Sequence, residues 1–175
     1  MLKQQLRLVL IILGFIIVSY SWVWLQSYNR SKEYYEMAMS NFEKGDYIVA
    51  IKGKRVLKED ESGYIYQGGL QQALEIWDSP YAIPKPNIYL EAELQIDHII
   101  NEKIDLGMGK DAFKSYFQLD NRYLPEILIR VGELYEEQNE MNKAIEIYTI
   151  VKDAFVYDKA MVNEAIQKIE QLEMD

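Results

Sequence analysis

The sequence predicts an all-α protein: one long apolar helix at the N-terminus, then shorter amphipathic helices joined by short turns. Three observations carry this expectation. Leu8 to Leu25 is a run of eighteen residues without a formal charge. Only four prolines occur, Pro80, Pro84, Pro86 and Pro125, so the residue that breaks helices is nearly confined to one segment. After the apolar run, hydrophobic residues recur at helical spacing, and no stretch alternates apolar and polar residues for long enough to build a sheet.

The first element is "LVLIILGFIIVSYSWVWL". As a helix it reaches roughly 27 Å, just under the ~30 Å hydrocarbon core of a bilayer. Tyr20, Trp22, Trp24 and Tyr28 crowd its far end, where amphipathic rings favour the water interface. Residues 1–28 therefore look like a basic segment followed by a single-pass transmembrane anchor. A cleaved signal peptide is the alternative, because Lys3 and Arg7 precede an apolar stretch of suitable length, with Ser19-Tyr20-Ser21 as the best cleavage site. Lys3 and Arg7 favour a cytoplasmic N-terminus, and so a larger domain outside the cytoplasm, although Arg30 and Lys32 dilute the bias.

Residues 29–175 form the expected helical domain. Helices are expected over about 31–44, 47–59, 64–78, 87–104, 110–119, 125–138, 141–154 and 158–173. Gly45-Asp46 and Ser62-Gly63 mark turns, Pro125 suits a first helical turn, and Asp158 suits an N-cap. "SPYAIPKP" is a non-helical connector, since its prolines remove donors and clash with preceding turns.

Charge and composition exclude several classes. Residues 1–30 carry Lys3, Arg7, Arg30 and no carboxylate, leaving 16 basic against 28 acidic residues, about −12, in the remainder. Such a surface repels nucleic acid, whose binding depends on Lys and Arg displacing counterions from phosphates. With no cysteine, disulfides, thiolate metal sites and cysteine catalysis are impossible.

The motifs of catalysis are also wanting. His98 is the sole histidine and lies in the apolar helical run "LQIDHIIN"; with Glu102 one turn on it makes two metal ligands without a third. "DLGMGKD" lacks the spacing and the Ser or Thr of a phosphate loop, "KEDES" lacks the alternating ligands of a calcium loop and fits a solvated helix end, and no G-x-S-x-G elbow occurs. The expectation is a non-enzymatic protein with no cofactor and no metal.

"RVGELYEEQNEMNKAIEIYTIV", Arg130 to Val151, places Gly132 and Ala144 small at regular intervals among Leu128, Val131, Tyr135, Tyr148 and Val151. This resembles the tetratricopeptide repeat, with its W-x2-L-G-x2-Y and A-x3-F spacing; Asn139 stands where that family usually has Gly, and Val156 where it has Pro. A second copy resembles it in "EYYEMAMSNFEKGDYIVAI", through Ala38, the Gly45-Asp46-Tyr47 turn and Ala50-Ile51, departing at Asn41 and Lys54. A degenerate copy runs from Ile96, Ile99 and Ile100 through a Gly107/Gly109 turn to Ala112, Tyr116 and Leu119. The resemblance implies a short α-solenoid with units at about 31–59, 64–86 in part, 93–124 and 125–156, closed by a capping helix over 158–173 with Met161, Ala165, Ile169 and Leu172 on its packed side.

In that family the first helix of each repeat lines a groove. Helical spacing then assigns Tyr35, Met39 and Glu43, with Lys32, to the first copy, Asp97 and Asn101 to the degenerate one, and Ile129, Glu133 and Glu137 to the last. Carboxylates in these places would repel an acidic tail, so the resemblance implies a protein partner presenting a basic or apolar helix or peptide. It implies a membrane-tethered scaffold, in the assembly of an envelope or secretion complex. Small anchored proteins of similar plan also resemble accessory members of bacterial clusters containing a MoxR-type ATPase and von Willebrand A-domain proteins. The alternative is a secreted helical protein, freed of its signal peptide, that binds a small ligand between the connector and the Trp77 helix, where Tyr64, Tyr66, Tyr81 and Tyr89 cluster in sequence.

Overall fold

The computed structural model describes residues 2–58 and 63–174. Its elements are α1 (Leu2–Glu43), α2 (Tyr47–Lys52), β1 (Lys54–Leu57), β2 (Tyr64–Gln67), α3 (Leu70–Glu75), α4 (Asn87–Glu102), α5 (Leu106–Tyr116), α6 (Leu124–Glu137), α7 (Met141–Ala154) and α8 (Lys159–Met174). The fold is mostly helical, but it is not all-α. Contacts divide it into two compact units, 1–95 and 96–175, with the division inside α4. Most of the "KEDES" run, residues 59–62, lies outside the described residues.

In the first unit, α1 is one continuous helix of 42 residues. Its N-terminal half is long and apolar enough to cross a membrane, with a mean hydropathy of 2.4 in its best window and none of that window buried. Its C-terminal half packs against α2 and α3. Ser31 is fully buried there and donates to the Ala73 carbonyl at 2.9 Å, and Ala38, Ile51, Leu70, Leu74 and Trp77 are all buried in this unit. The turn after α1 has Gly45 at φ +81°, the left-handed geometry expected of glycine.

The expected helices over 47–59 and 64–78 are corrected by an antiparallel hairpin with Lys54 opposite Gln67 and Leu57 opposite Tyr64. The physical reason is Gly53. It adopts φ +78°, and a Cβ there would come within 2.7 Å of the Gln67 carbonyl, so α2 stops after six residues and the chain turns back. Both strands are largely exposed, so the hairpin carries no buried stripe for apolar alternation to reveal. Beside it, the fully buried Lys52 donates its ammonium to Gln71 Oε1 at 3.2 Å, and Gln71 donates to Glu75 at 2.8 Å.

In the second unit the sequence pattern maps closely onto packing. Gly132 faces Tyr148 so closely that a Cβ would overlap the ring, and Ala144 is fully buried beside it. Leu128, Val131, Tyr135, Tyr148 and Val151 are all core. Asn139 takes φ +59° at the α6–α7 turn, Pro125 lies in the first turn of α6, and the Asp158 carboxylate accepts from the Met161 N–H at the start of α8. One turn is misplaced. Gly107 and Gly109 lie inside α5, because Asp105 caps it by accepting from the Met108 N–H at 2.7 Å; Gly109 is small where α5 meets Val131 of α6.

Candidate functional site

The second unit holds a cleft of about 220 Å³ between α4, α6 and α8. From the C-terminal end of α4 come Asp97, Ile100 and Asn101; from α6 and the residue before it, Tyr123, Glu126, Ile129, Arg130 and Glu133; from α8, Met161 and Glu164. The helical period accounts for this gathering. Positions 97 and 101, and positions 126, 129, 130 and 133, each occupy one face of their helix. Among the ten lining residues, four carboxylates stand against one guanidinium, so the cleft is acidic.

Of the nine groove residues expected from sequence, Lys32 among them, Asp97, Asn101, Ile129 and Glu133 meet here. Ile129 is not an accessible anchor. It is 6% exposed and forms the floor, because α6 is packed on by α5, α7 and α8 and so buries more than one stripe. Glu137 does not line the cleft; its carboxylate accepts from Arg130 Nη1 at 2.9 Å. Tyr35, Met39 and Glu43 belong to the first unit. There Tyr35 lines a separate hollow with Trp24, Tyr28, Pro86 and Glu91, Met39 is half-buried, and Glu43 is exposed. Burial, aided by the nearby Glu91 carboxylate, pushes the Tyr35 phenol above its ordinary range.

Arg130 organises the floor of the cleft. Its Nη1 also reaches Glu133 Oε2 at 3.3 Å, and its Nε is buried without a hydrogen-bond partner. Burial alone would pull the guanidinium pKa down, but the bonds to Glu137 and Glu133 outweigh it and leave it raised. Glu133 accepts in addition from Lys168 Nζ at 3.0 Å, and Lys168 stands 3.7 Å from Glu136, which accepts a hydrogen bond from the Tyr148 hydroxyl. Glu133 and Glu137, expected to line the groove, are thus paired with internal cations. The other carboxylates of the lining are Asp97 on α4, Glu126 on α6 and Glu164 on α8.

Arg130 was legible in principle, since it precedes Glu133 by three and Glu137 by seven residues on one face. Met161 and Glu164 were not, because nothing in the sequence of α8 says which neighbour its face will meet. His98 is half-exposed with Nδ1 3.2 Å from Glu102 Oε1, and among the described residues no group of three His, Cys, Asp or Glu side chains could hold a metal.

The first unit has its own cleft, about 260 Å³, lined by Tyr20, Val23, Trp24, Ile76, Trp77 and Tyr81 among others. The Trp24 ring lies 5.6 Å from that of Trp77. Of the four tyrosines clustered in sequence, only Tyr81 reaches it; Tyr64 lies under the Arg55 guanidinium and Tyr89 under the Lys85 ammonium. No protein family, curated protein or solved structure matches the chain.

Proposed function

We propose that the chain is a non-enzymatic, single-pass membrane tether carrying a tetratricopeptide-like docking unit, whose acidic cleft takes a basic or apolar helix or peptide of a protein partner. The observation that carries this reading is the convergence of Asp97 and Asn101 from α4 with Ile129 and Glu133 from α6 on one cleft. The tight Gly132–Tyr148 seam supports repeat-like pairing of α6 with α7. Ile100, Ile129 and Met161 offer an apolar floor, Asp97 and Glu164 offer charge, and a peptide carbonyl would satisfy the buried Arg130 Nε. The apolar half of α1 supplies the tether, and Lys3 and Arg7 favour a cytoplasmic N-terminus with the docking unit outside, in the assembly of an envelope or secretion complex. Retention of the span, rather than its cleavage, is supported by Tyr20: a cut after Ser21 would remove the side chain that holds the connector.

The test is a photoreactive residue at Asn101, which is exposed and lines the cleft, in membranes of the producing cell. The expected result is a discrete protein adduct that Glu164→Lys weakens, with none from the same probe at the exposed Glu146 of α7. No adduct at Asn101, or an equal adduct from Glu146, contradicts the reading.

A further inference from the structure

The connector between α3 and α4 behaves unlike a surface loop. The backbone carbonyls of Tyr81, Ile83 and Pro84 and the Ile83 N–H are bonded to side chains of α1. The Tyr20 hydroxyl lies 2.8 Å from the Tyr81 carbonyl and 2.5 Å from that of Ile83, sharing its one proton between them, and accepts from the Ile83 N–H at 3.1 Å. Trp24 Nε1 donates to the Pro84 carbonyl at 2.8 Å, the Ala82 N–H bonds to the Ser79 carbonyl, and Pro84 has no N–H to satisfy. The side chains turn the other way. Tyr81 is 81% exposed and Ile83 65%. A loop in water has no need to hide its amides and present its apolar side chains. A loop at a bilayer does, because hydrocarbon offers no hydrogen bonds to the backbone.

Its position along α1 agrees. Tyr20 and Trp24 stand in the last turn and a half of the uncharged run that ends at Leu25, so whatever is bonded to them sits at the level where a spanning helix leaves the hydrocarbon. The apolar surface is continuous there, since Tyr20 and Val23 line both the cleft that includes Tyr81 and the groove beside Phe15 and Ile16.

We propose that the 79–84 connector is a second membrane-contacting element, inserting Tyr81 and Ile83 into the lipid interface beside the anchor and setting how far α1 enters the bilayer. This rests on the anchor reading, and its test separates the two. The chain has no cysteine, so single Cys variants of the full-length protein can carry a nitroxide without background. In phosphatidylcholine vesicles, the collision ratio of oxygen to a water-soluble nickel chelate is measured at Tyr81→Cys, with Ile83→Cys as an independent second site; both side chains are exposed, so neither substitution removes packing. Phe15→Cys is the lipid reference and Leu119→Cys, exposed in the second unit, the aqueous one. The expected ratio at 81 and 83 is intermediate, about threefold above that at 119, because interfacial rings sit at headgroup depth. Tyr20→Phe, which keeps the ring and removes the hydroxyl, lowers the ratio at 83 towards that at 119. Aqueous ratios at 81 and 83 with lipid exposure at 15 overturn the proposal and leave the anchor standing. Aqueous ratios at all three overturn both.

Discussion

The two units solve the same problem by different means. The second buries its core by periodic repetition: Gly132 and Ala144 let α6 and α7 approach, and Leu128, Tyr135 and Tyr148 fill the space around them. The first is assembled from exceptions. A glycine stops α2, a buried lysine is held by Gln71, Ser31 bonds the Ala73 carbonyl, and a proline-rich connector is fastened to α1 by Tyr20 and Trp24. Local polar bonds to one long helix hold the first unit, where repeated small-to-large packing holds the second.

The comparison is broken most forcefully at Trp77. It is 1% exposed and packs against Trp24, so Trp77→Ala is expected to cost the first unit about 4 kcal/mol, in the range for truncating a buried Trp. Hydrogen exchange should show α1 and α3 losing protection while α6 and α7 keep theirs. Equal loss in both sets would mean that the two units do not stabilise separately. The converse change is Gly132→Val. Its side chain must displace the Tyr148 ring, and overpacking of this kind costs roughly 3 kcal/mol, read as lost protection in α6 and α7 alone.

These two positions also mark how much the sequence disclosed. Gly132 was legible because its spacing to Tyr135, Ala144 and Tyr148 is a periodic signal, and the same period placed Asp97, Asn101, Ile129 and Glu133 on one cleft. The first unit was misread where period says little. Lys54 to Leu57 carries no buried stripe, and Gly53 acts through a positive φ and a close carbonyl rather than through hydrophobicity. The degree of burial at the site was also beyond a single-helix reading. Ile129 is floor because three helices pack on α6, and Glu133 and Glu137 are neutralised by Arg130 and by Lys168, 35 residues from Glu133 along the chain.

A smaller effect sharpens the account of the seam. Burial, and then its bond to the Glu136 carboxylate, raises the Tyr148 phenol well above its ordinary pKa of 10.0. The folded state therefore keeps its proton where the unfolded state begins to lose it. The contribution is fully present below pH 10 and is lost as pH rises above that value, since the unfolded chain then binds fewer protons. Tyr148→Phe should cost about 1 kcal/mol at neutral pH through the lost hydrogen bond, and should flatten the alkaline fall measured by denaturant titration. An unchanged alkaline slope would place that titration elsewhere. Of similar or smaller size is Asp105→Ala, which removes the cap of α5 and is expected to cost about 1 kcal/mol in the second unit.

The central claim is that the apolar half of α1 stays joined to the folded units as an anchor. It is tested most directly by extracting membranes of the producing cell with alkaline carbonate and measuring the intact mass of the retained chain. Retention in the pellet at the full 20.6 kDa is the predicted result. A soluble product lacking about 21 residues, the length removed by signal cleavage after Ser21, would contradict it.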